Sequence, residues 1–357
     1  MNASVDLTLD DLAKSTPTYV LANAISSIPD LIPASHRNHR EPTVVYCGVQ
    51  LNGPPHLGTA LTLATVCALA VRAGELGIIE PHVVLDVLDN TSHEEVREAS
   101  TGSVFRKSMS EALDFQARQD VFDGYYRELT NQLAASGVKF SLRFFSNYRQ
   151  TPQFKRALIK TIGFANTIGR QLNPRSAKLP IRFPCPTCGM MEVHSTRTEL
   201  IRIAGGIAQF KAYCLEHGVY EAVVSEDSTS PFDLNALYRN LVKDTEHWHR
   251  AGPPAISAKG TDWLQGAGVL NFALSALGVP EPSRPFRLFT PLVTDSTGAK
   301  LSKSGAAARS PNSDRGLLEP GSLPRLFQIA LGIVNRPPLF FRGYTAELLR
   351  ELLRSRD

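Results

Sequence analysis

Short apolar segments alternate with longer ones through the first half of the chain. Three short segments, TVVYCGV, HVVLDVL and VKFSLRFF, have the length and β-branched content of buried strands. Between them lie LGTALTLATVCALAVRAGELG and a region up to about Ser136, both predicted as helical. Strands and helices that alternate in this way predict an α/β fold, in which crossover helices wind a parallel sheet.

The alternation is interrupted in the middle of the chain. A further helix is predicted over 151–170, after which a cysteine cluster and short alternating segments such as AQFKAYC predict a small insertion. PAISAKG, DWLQGAGVLNFALSALG and FRLFTPLVTD then predict two more strands around a helix, and a Gly/Ser-rich loop and short helices follow. The predicted segments are an N-terminal extension (1–40), the first half of the α/β domain (41–174), the insertion (175–228), the second half with the loop (229–310) and a short helical C-terminal segment (311–357).

The composition is that of an ordinary globular protein. With 357 residues, 43% of them hydrophobic, the chain can bury a full-sized core. The formal charge of +4 is compatible with a phosphate-bearing partner but is too small to imply nucleic-acid binding. Residues 151–191 contain no acid and seven basic residues, which form either a solvated face or a surface for an anionic partner: Lys155, Arg156, Lys160, Arg170, Arg175, Lys178 and Arg182.

The ends and the apolar runs predict a cytoplasmic protein without a membrane span. The first 30 residues lack a basic start followed by an unbroken apolar core, so no signal peptide is expected. The longest apolar run, LTLATVCALAV, is too short to cross a bilayer. An odd total of five cysteines, three of them clustered, suits metal binding in a reducing compartment.

The clustered cysteines have the spacing of metal ligands. Cys185 and Cys188 form one C-x2-C pair, and Cys214 and His217 form a C-x2-H pair. Four such ligands in two short turns predict a closed, tetrahedral, structural zinc site, with His194 as an alternative fourth ligand. Cys47 and Cys67 lie on the predicted core strand and helix and are interpreted as packing residues.

Two segments have the chemistry of a phosphate site. In YCGVQLNGPPHLGTALTL, a strand ends near Gly48 and His56 follows a Gly/Pro turn at the start of a helix, where backbone N–H groups favour negative charge. Gly58 has no side chain and allows a flat ligand to approach the backbone. Downstream, Lys300 and Lys303 lie in a glycine-rich loop from which they could neutralise a polyphosphate.

Together, His56-Leu57-Gly58-Thr59 and Lys300-Leu301-Ser302-Lys303-Ser304 resemble the HIGH and KMSKS sequences of class I aminoacyl-tRNA synthetases. The resemblance runs from about Thr43 to about Pro337 and is closest to class I lysyl-tRNA synthetase, with support from LNALYRNLVKDTEHW and ISAKGTDWLQGA. It implies a Rossmann-type parallel sheet that binds ATP between the two motifs, split by a small zinc-binding insertion and followed by a short helical C-terminus.

The resemblance also implies roles for individual residues. The catalytic residues would be His56, Thr59, Lys300 and Lys303. The residues that bind ATP would be Gly48, Gly58, Gly260, Asp262, Ser302 and Ser304. The candidates for binding the amino acid are Asp86, Asp89, Tyr238 and Trp248. Thr59 departs from the family, which has histidine or asparagine there, so it can donate a hydrogen bond but carries no positive charge.

The implied activity is ATP- and Mg²⁺-dependent activation of an amino acid, lysine or a relative, to an aminoacyl adenylate. Little chain follows Ser304, where the lysine enzymes have an anticodon-binding domain. The first hypothesis is therefore a biosynthetic enzyme that passes the aminoacyl group to a small molecule or a carrier protein. The second is a tRNA ligase that recognises only the acceptor end, and the third is a non-catalytic binding protein that keeps the fold.

Overall fold

The fold is seen in a computed structural model, which describes Ile32, residues 41–295 and 297–301, Leu318, residues 321–336, Leu339 and residues 343–354. The predicted N-terminal extension lies almost entirely outside the described residues, as do Ser302, Lys303 and Ser304 of the loop motif. The predicted division into five segments therefore stays a prediction.

The described strands and helices follow in chain order. They are β1 (Thr43–Gln50), α1 (Leu57–Glu75), β2 (Pro81–Leu88), β3 (Ser92–Arg97), β4 (Val104–Ser108), α2 (Met109–Ala112), α3 (Phe115–Ala135), β5 (Lys139–Phe144), α4 (Phe145–Tyr148), α5 (Pro152–Ile162), α6 (Ala165–Leu172), β6 (Ile181–Arg182), β7 (Met191–Glu192), β8 (Glu199–Ala204), β9 (Ile207–Cys214), β10 (Gly218–Val224), β11 (Asp233–Leu234), α7 (Ala236–His249), β12 (Ala255–Gly260), α8 (Leu264–Ala276), β13 (Phe286–Thr290), β14 (Val293–Thr294), α9 (Leu323–Val334), β15 (Tyr344–Thr345) and α10 (Ala346–Arg354). Single-turn 3-10 helices lie at Thr261–Trp263 and Glu281–Ser283.

A five-stranded sheet forms the centre of the protein, and all its pairings are parallel, which confirms the predicted α/β architecture. Its order is β13-β12-β1-β2-β5. From β1 the chain first adds β2 and β5 on one side, and later adds β12 and β13 on the other side of β1. This order corresponds to five strands of a doubly wound fold, with strands from both of its halves. The reversal between β1 and β12 leaves a crevice at the carboxyl ends of these two strands, where ligands of such sheets bind.

Helix α1 fills one face of the sheet and lies almost wholly in the main hydrophobic core. By length and composition it could cross a membrane, but 72% of its most apolar stretch is buried inside the protein. A buried core helix passes the same test, so this is weak evidence of a span. A second core, on the other face, joins α5, α7 and α8 to the insertion.

Two local predictions differ from the structure. The region between β2 and α3 was predicted as helical, but it begins with the antiparallel hairpin β3–β4, whose turn contains Gly102 at a φ of 72°. A positive φ is the conformation that glycine adopts without steric cost, and it turns the chain back here. The predicted helix over 151–170 is divided into α5 and α6, because Phe164, with φ of −104° and ψ of 15°, departs from helical geometry between them.

A buried carboxylate fixes the point where the insertion returns to the central domain. Asp233 has no exposed surface, and its carboxylate lies 2.8 Å from both Arg106 and Arg182. The Nδ2 group of Asn90 donates to it at 2.6 Å. Asp233 is two residues before Asn235, whose side chain caps α7, so this cluster lies beside the start of that helix.

We expect Asp233→Asn to destabilise the protein by about 3–5 kcal/mol, because two buried guanidinium groups lose their counter-charge. Urea unfolding at pH 7 measures the loss, and the exposed pair of Glu75 with Arg72 offers a control, Glu75→Gln, that should cost less than about 1 kcal/mol. Burial raises the pKa of Asp233 but Arg182 and Arg106 lower it further, to about 2. This contribution is therefore present in full above about pH 4 and is lost as the pH falls towards 2. Equal losses for the two variants would contradict the assignment.

Candidate functional site

Helix α1 begins at the carboxyl edge of the sheet with a histidine cap. His56 is the N-cap residue, and its Nδ1 accepts a hydrogen bond from the Thr59 N–H at 3.4 Å. Thr59 Oγ1 lies 3.0 Å from His56 Nε2. Because Nδ1 accepts, a neutral ring carries its proton on Nε2 and can donate it to the hydroxyl. The two predicted residues of the first motif are thus held side by side at a positive helix end.

A hydroxyl network joins this helix to the neighbouring strand ends. Thr62 Oγ1 lies 2.9 Å from Thr290 Oγ1, and Thr290 Oγ1 in turn donates to the backbone oxygen of Lys259 at 3.3 Å. Thr261 Oγ1 donates to the backbone oxygen of Thr290 at 2.6 Å. The first turns of α1 and the carboxyl ends of β12 and β13 therefore form one connected edge.

Lys300, of the second predicted motif, also lies at this edge of the sheet. Lys300 forms an ion pair with Asp262, which follows β12 directly. Asp295 folds the chain back before Lys300, since its Oδ1 accepts from the N–H groups of Thr297 at 2.9 Å and Ala299 at 3.0 Å. The charges of Lys300 and Asp262 neutralise each other in this arrangement.

A cavity of about 330 Å³ opens between these groups, at the crevice between β1 and β12. Its volume lies in the range of small-molecule sites. Seven of the predicted site residues line it: Gly48, His56, Gly58, Thr59, Gly260, Asp262 and Lys300. The other predicted residues of the loop motif, Ser302, Lys303 and Ser304, lie outside the described residues. The cavity is the largest convergence of predicted residues in the described part of the chain.

Two glycines allow the site's side chains to approach the backbone. A Cβ on Gly58 would lie 3.1 Å from His56 Cε1, and a Cβ on Gly260 would lie 2.5 Å from Asp262 Oδ1. Any larger residue at Gly260 would therefore displace the carboxylate. Neither glycine has a positive φ, so close approach explains their presence better than turn geometry does.

The predicted amino-acid-binding residues do not line the cavity. Asp86 lies 2.9 Å from Lys243 Nζ and 2.7 Å from Arg143 Nη2, and it is almost fully buried. Burial raises the pKa of Asp86, but these two cations lower it well below its usual range. Asp89 is fully buried and pairs with Arg118. Both carboxylates thus neutralise cations of the protein itself, and this geometry does not favour their predicted contact with a substrate ammonium.

The two predicted aromatic residues are also engaged elsewhere. Tyr238 is fully buried, and its hydroxyl lies 2.7 Å from Thr161 Oγ1. The ring of Trp248 lies 4.1 Å from Lys160 Nζ, on the side of α7 that faces α5. Both positions suit packing between helices, and their role in substrate binding stays a prediction.

Sequence reasoning missed several residues that line the cavity. They include Thr62, Arg239, Asn240 and Lys259. Thr62 is three residues after Thr59 and so lies on the same helix face. Lys259 immediately precedes the Gly260-Thr261-Asp262 segment and could have been found from it. Arg239 had no such signal, since its place depends on how α7 packs across the sheet.

The metal ligands predicted from spacing come together. The donor atoms of Cys185, Cys188, Cys214 and His217 all lie within 4.8 Å of one another. Cys188 Sγ lies 3.5 Å from Cys214 Sγ, and His217 Nδ1 lies 3.7 Å from Cys185 Sγ and 3.6 Å from Cys214 Sγ. A tetrahedral zinc with bonds of about 2.3 Å to sulfur needs such ligand separations, about 3.8 Å between sulfurs. The group fits zinc, and His194, which is exposed, is not part of it.

Two solved structures show a distant likeness to this chain. No family model and no curated protein matches it. A solved structure from Campylobacter jejuni, described as an arginyl-tRNA synthetase, is 12% identical with a TM-score of 0.34, and the match covers 78% of this chain and 60% of that one. The arginyl-tRNA synthetase of Thermus thermophilus is 13% identical with a TM-score of 0.35, covering 96% of this chain and 64% of that one. The chain spans less than two thirds of either length, and at this distance neither likeness carries an argument about activity.

The metal assignment predicts about one zinc ion per chain in the purified protein. We expect Cys185→Ser to lose it, because a structural site needs all four ligands. Elemental analysis of the full chain measures the zinc content. The matched control is Cys67→Ser, a buried cysteine of α1 outside the cluster, which should keep its zinc. Full zinc retention by Cys185→Ser would refute the site.

Proposed function

We propose that this protein uses ATP to activate an amino acid as an aminoacyl adenylate, as class I aminoacyl-tRNA synthetases do. The supporting observation is that His56 and Thr59 at the start of α1 face Asp262 and Lys300 across one cavity. This cavity lies at the carboxyl edge of a parallel sheet, where the strand order reverses. Motifs more than 200 residues apart in the sequence thus share one ligand site.

The proposed step is an in-line displacement at phosphorus. A carboxylate oxygen of the amino acid forms a bond to the α-phosphorus of ATP, and the bond from that phosphorus to the bridging oxygen breaks. Pyrophosphate leaves with the electron pair, and no proton transfer is needed. Charge develops on the phosphate oxygens, so the protein contributes mainly through positioning and charge stabilisation.

Each cavity residue has a place in this step. The His56 ring and the Thr59 hydroxyl would donate hydrogen bonds to the phosphates at the helix end, where N–H groups already favour anions. Asp262 would accept hydrogen bonds from the ribose hydroxyls, which releases Lys300 to neutralise phosphate charge. Lys303 of the same loop motif is assigned the same role from the resemblance. Mg²⁺ bound to the ATP phosphates would supply further charge neutralisation.

The acceptor of the aminoacyl group is proposed to be a small molecule or a carrier protein rather than tRNA. The basic residues of 151–191 were the best sequence support for RNA binding, but five of the seven have partners inside the protein. Lys155 is buried against backbone oxygens, Arg182 is buried against Asp233, and Lys178 donates to the backbone oxygen of Thr196 at 3.0 Å. Arg156 forms a surface ion pair with Glu226, and Lys160 contacts Trp248. Phosphate contacts dominate nucleic-acid affinity, and only Arg170 and Arg175 of the seven have no described partner.

ATP–pyrophosphate exchange with individual amino acids tests the activation step. We expect exchange with at least one amino acid in the absence of RNA. His56→Ala should slow it on the order of a hundredfold or more, the usual cost of losing one donor to developing charge. His93→Ala, at an exposed histidine of β3, is the matched control and should keep the wild-type rate. Absence of exchange with every amino acid, both with and without total tRNA, would leave only the binding-protein hypothesis.

Incubation with a labelled, activated amino acid and total tRNA tests the acceptor. We expect no label in RNA, because the basic side chains of 151–191 are mostly engaged internally. Addition of tRNA should also leave the exchange rate unchanged. Label that precipitates with RNA and is released by nuclease would overturn this choice and support the tRNA ligase.

A further inference from the structure

The charged groups around the cavity are mostly positive. Arg239, Lys259 and Lys300 line it, whereas Asp262 is the one acidic residue among the described lining residues. Lys300 and Asp262 neutralise each other, so two positive groups are left over. A charged group that is partly desolvated and has no counter-ion is costly, and a ligand anion relieves that cost.

Arg239 is a buried arginine without a carboxylate partner among the described residues. Its side chain is on the first turn of α7, and the residue is 8% exposed. Nη1 donates to Asn90 Oδ1 at 3.3 Å, and the guanidinium lies 5.3 Å from the centre of the Phe145 ring. Asn90 follows β2 and Phe145 follows β5. These two contacts therefore hold the guanidinium of Arg239 against the segments that follow those strands. Its remaining N–H groups suit a planar carboxylate.

Lys259 is the second positive group, at the carboxyl end of β12. Burial and the charge of the neighbouring Lys243 lower its pKa to about 8. Lys243 is itself held by Asp86 at 2.9 Å, and no described carboxylate pairs with Lys259. Its Nζ lies 5.3 Å from the centre of the Trp263 ring. Gly48 of β1, which also lines the cavity, has no side chain to obstruct a ligand beside Lys259.

A substrate with an additional positive charge finds no partner in this surrounding. Asp262 is paired with Lys300 and is assigned to the ribose in the proposed reaction. Asp86 and Asp89, at the end of β2, are already paired with cations of the protein. A lysine side chain would place its ammonium beside Arg239 and Lys259, and like charges at close range are unfavourable. Lysine, which the sequence resemblance suggested, is therefore disfavoured by the charges of the cavity.

We propose that the amino acid activated here has a carboxylate side chain, which Arg239 and Lys259 bind together. The proposal rests on the activation reaction proposed above, and it names the chemical class of its substrate: an L-dicarboxylic amino acid such as glutamate or aspartate. The phosphates of ATP belong at the other side of the cavity, at the start of α1 and near Lys300. The reacting α-carboxylate must meet the α-phosphate there. Arg239 and Lys259 are then used by neither group and can bind a second carboxylate.

Calorimetric titration of the full chain, saturated with a non-hydrolysable ATP analogue, tests this directly. The probes are L-glutamate, L-aspartate, L-glutamine, L-asparagine and L-lysine. We expect one of the two dicarboxylic amino acids to bind at least about tenfold more tightly than its amide, because a hydrogen bond to a charged group is lost with the amide. Lysine should show no binding.

Substitutions assign the carboxylate to its two partners. Lys259→Met and Arg239→Gln should each weaken binding of the dicarboxylic amino acid by at least about tenfold, while Lys259→Arg should retain most of it. Lys139→Met makes the same change at an exposed lysine of β5 and should have no effect. A separate titration with the ATP analogue shows whether each variant is still folded. If Arg239→Gln does not fold, Lys259→Met still tests the proposal.

The outcomes separate this proposal from the activation reaction. Tighter binding of lysine or of an amide, unchanged binding in Lys259→Met, or no binding of either dicarboxylic amino acid would overturn the carboxylate site. Exchange of pyrophosphate with lysine or with a neutral amino acid would overturn it as well, while leaving activation intact. If a dicarboxylic amino acid binds through Lys259 but supports no exchange, the carboxylate site stands and the activation reaction fails.

Discussion

The parallel pairing of β1 with β12 is the constraint on which the site depends. Val45 is opposite Ile256 in this pairing, so the two strands bring together parts of the chain that are more than 200 residues apart. Parallel strands end at the same edge, and the helices that follow these two lie on opposite faces of the sheet. His56 and Asp262 therefore flank a crevice rather than filling it. Without this pairing, His56 and Asp262 would not line the same cavity.

None of the residues of the predicted insertion (175–228) lines the cavity, so any effect of the insertion on it is indirect. After the insertion the chain forms β11, which pairs with β6, and Asp233 of β11 binds Arg106 and Arg182. Two residues later Asn235 caps α7, and Arg239 follows on the first turn of that helix. A structural metal that holds the insertion together would thus stabilise the strand that positions Arg239.

The sequence was sufficient for features that depend on local pattern. The strands around Val45 and Val83, the helix after His56 and the metal ligands at Cys185 and Cys214 all follow from periodicity or spacing. The β3–β4 hairpin was missed because β3 is largely exposed and the two strands carry little apolar pattern. Asp86 was misjudged for a different reason. Its position at a strand end is visible in the sequence, but its two cationic partners come from β5 and α7 and depend on tertiary packing.

The charges that line the cavity are a better guide to the class of substrate than the sequence resemblance is. A fold can be shared by enzymes that act on different substrates, because specificity resides in the side chains that line a pocket. In the proposed reaction, the motif residues His56 and Lys300 act on the step common to all amino acids, the transfer to phosphorus. Arg239 and Lys259 belong to neither motif, and each remains without a carboxylate partner in the described part of the chain. Buried positive charge with no internal partner is expensive to retain, so its presence is best explained by a ligand that supplies the anion.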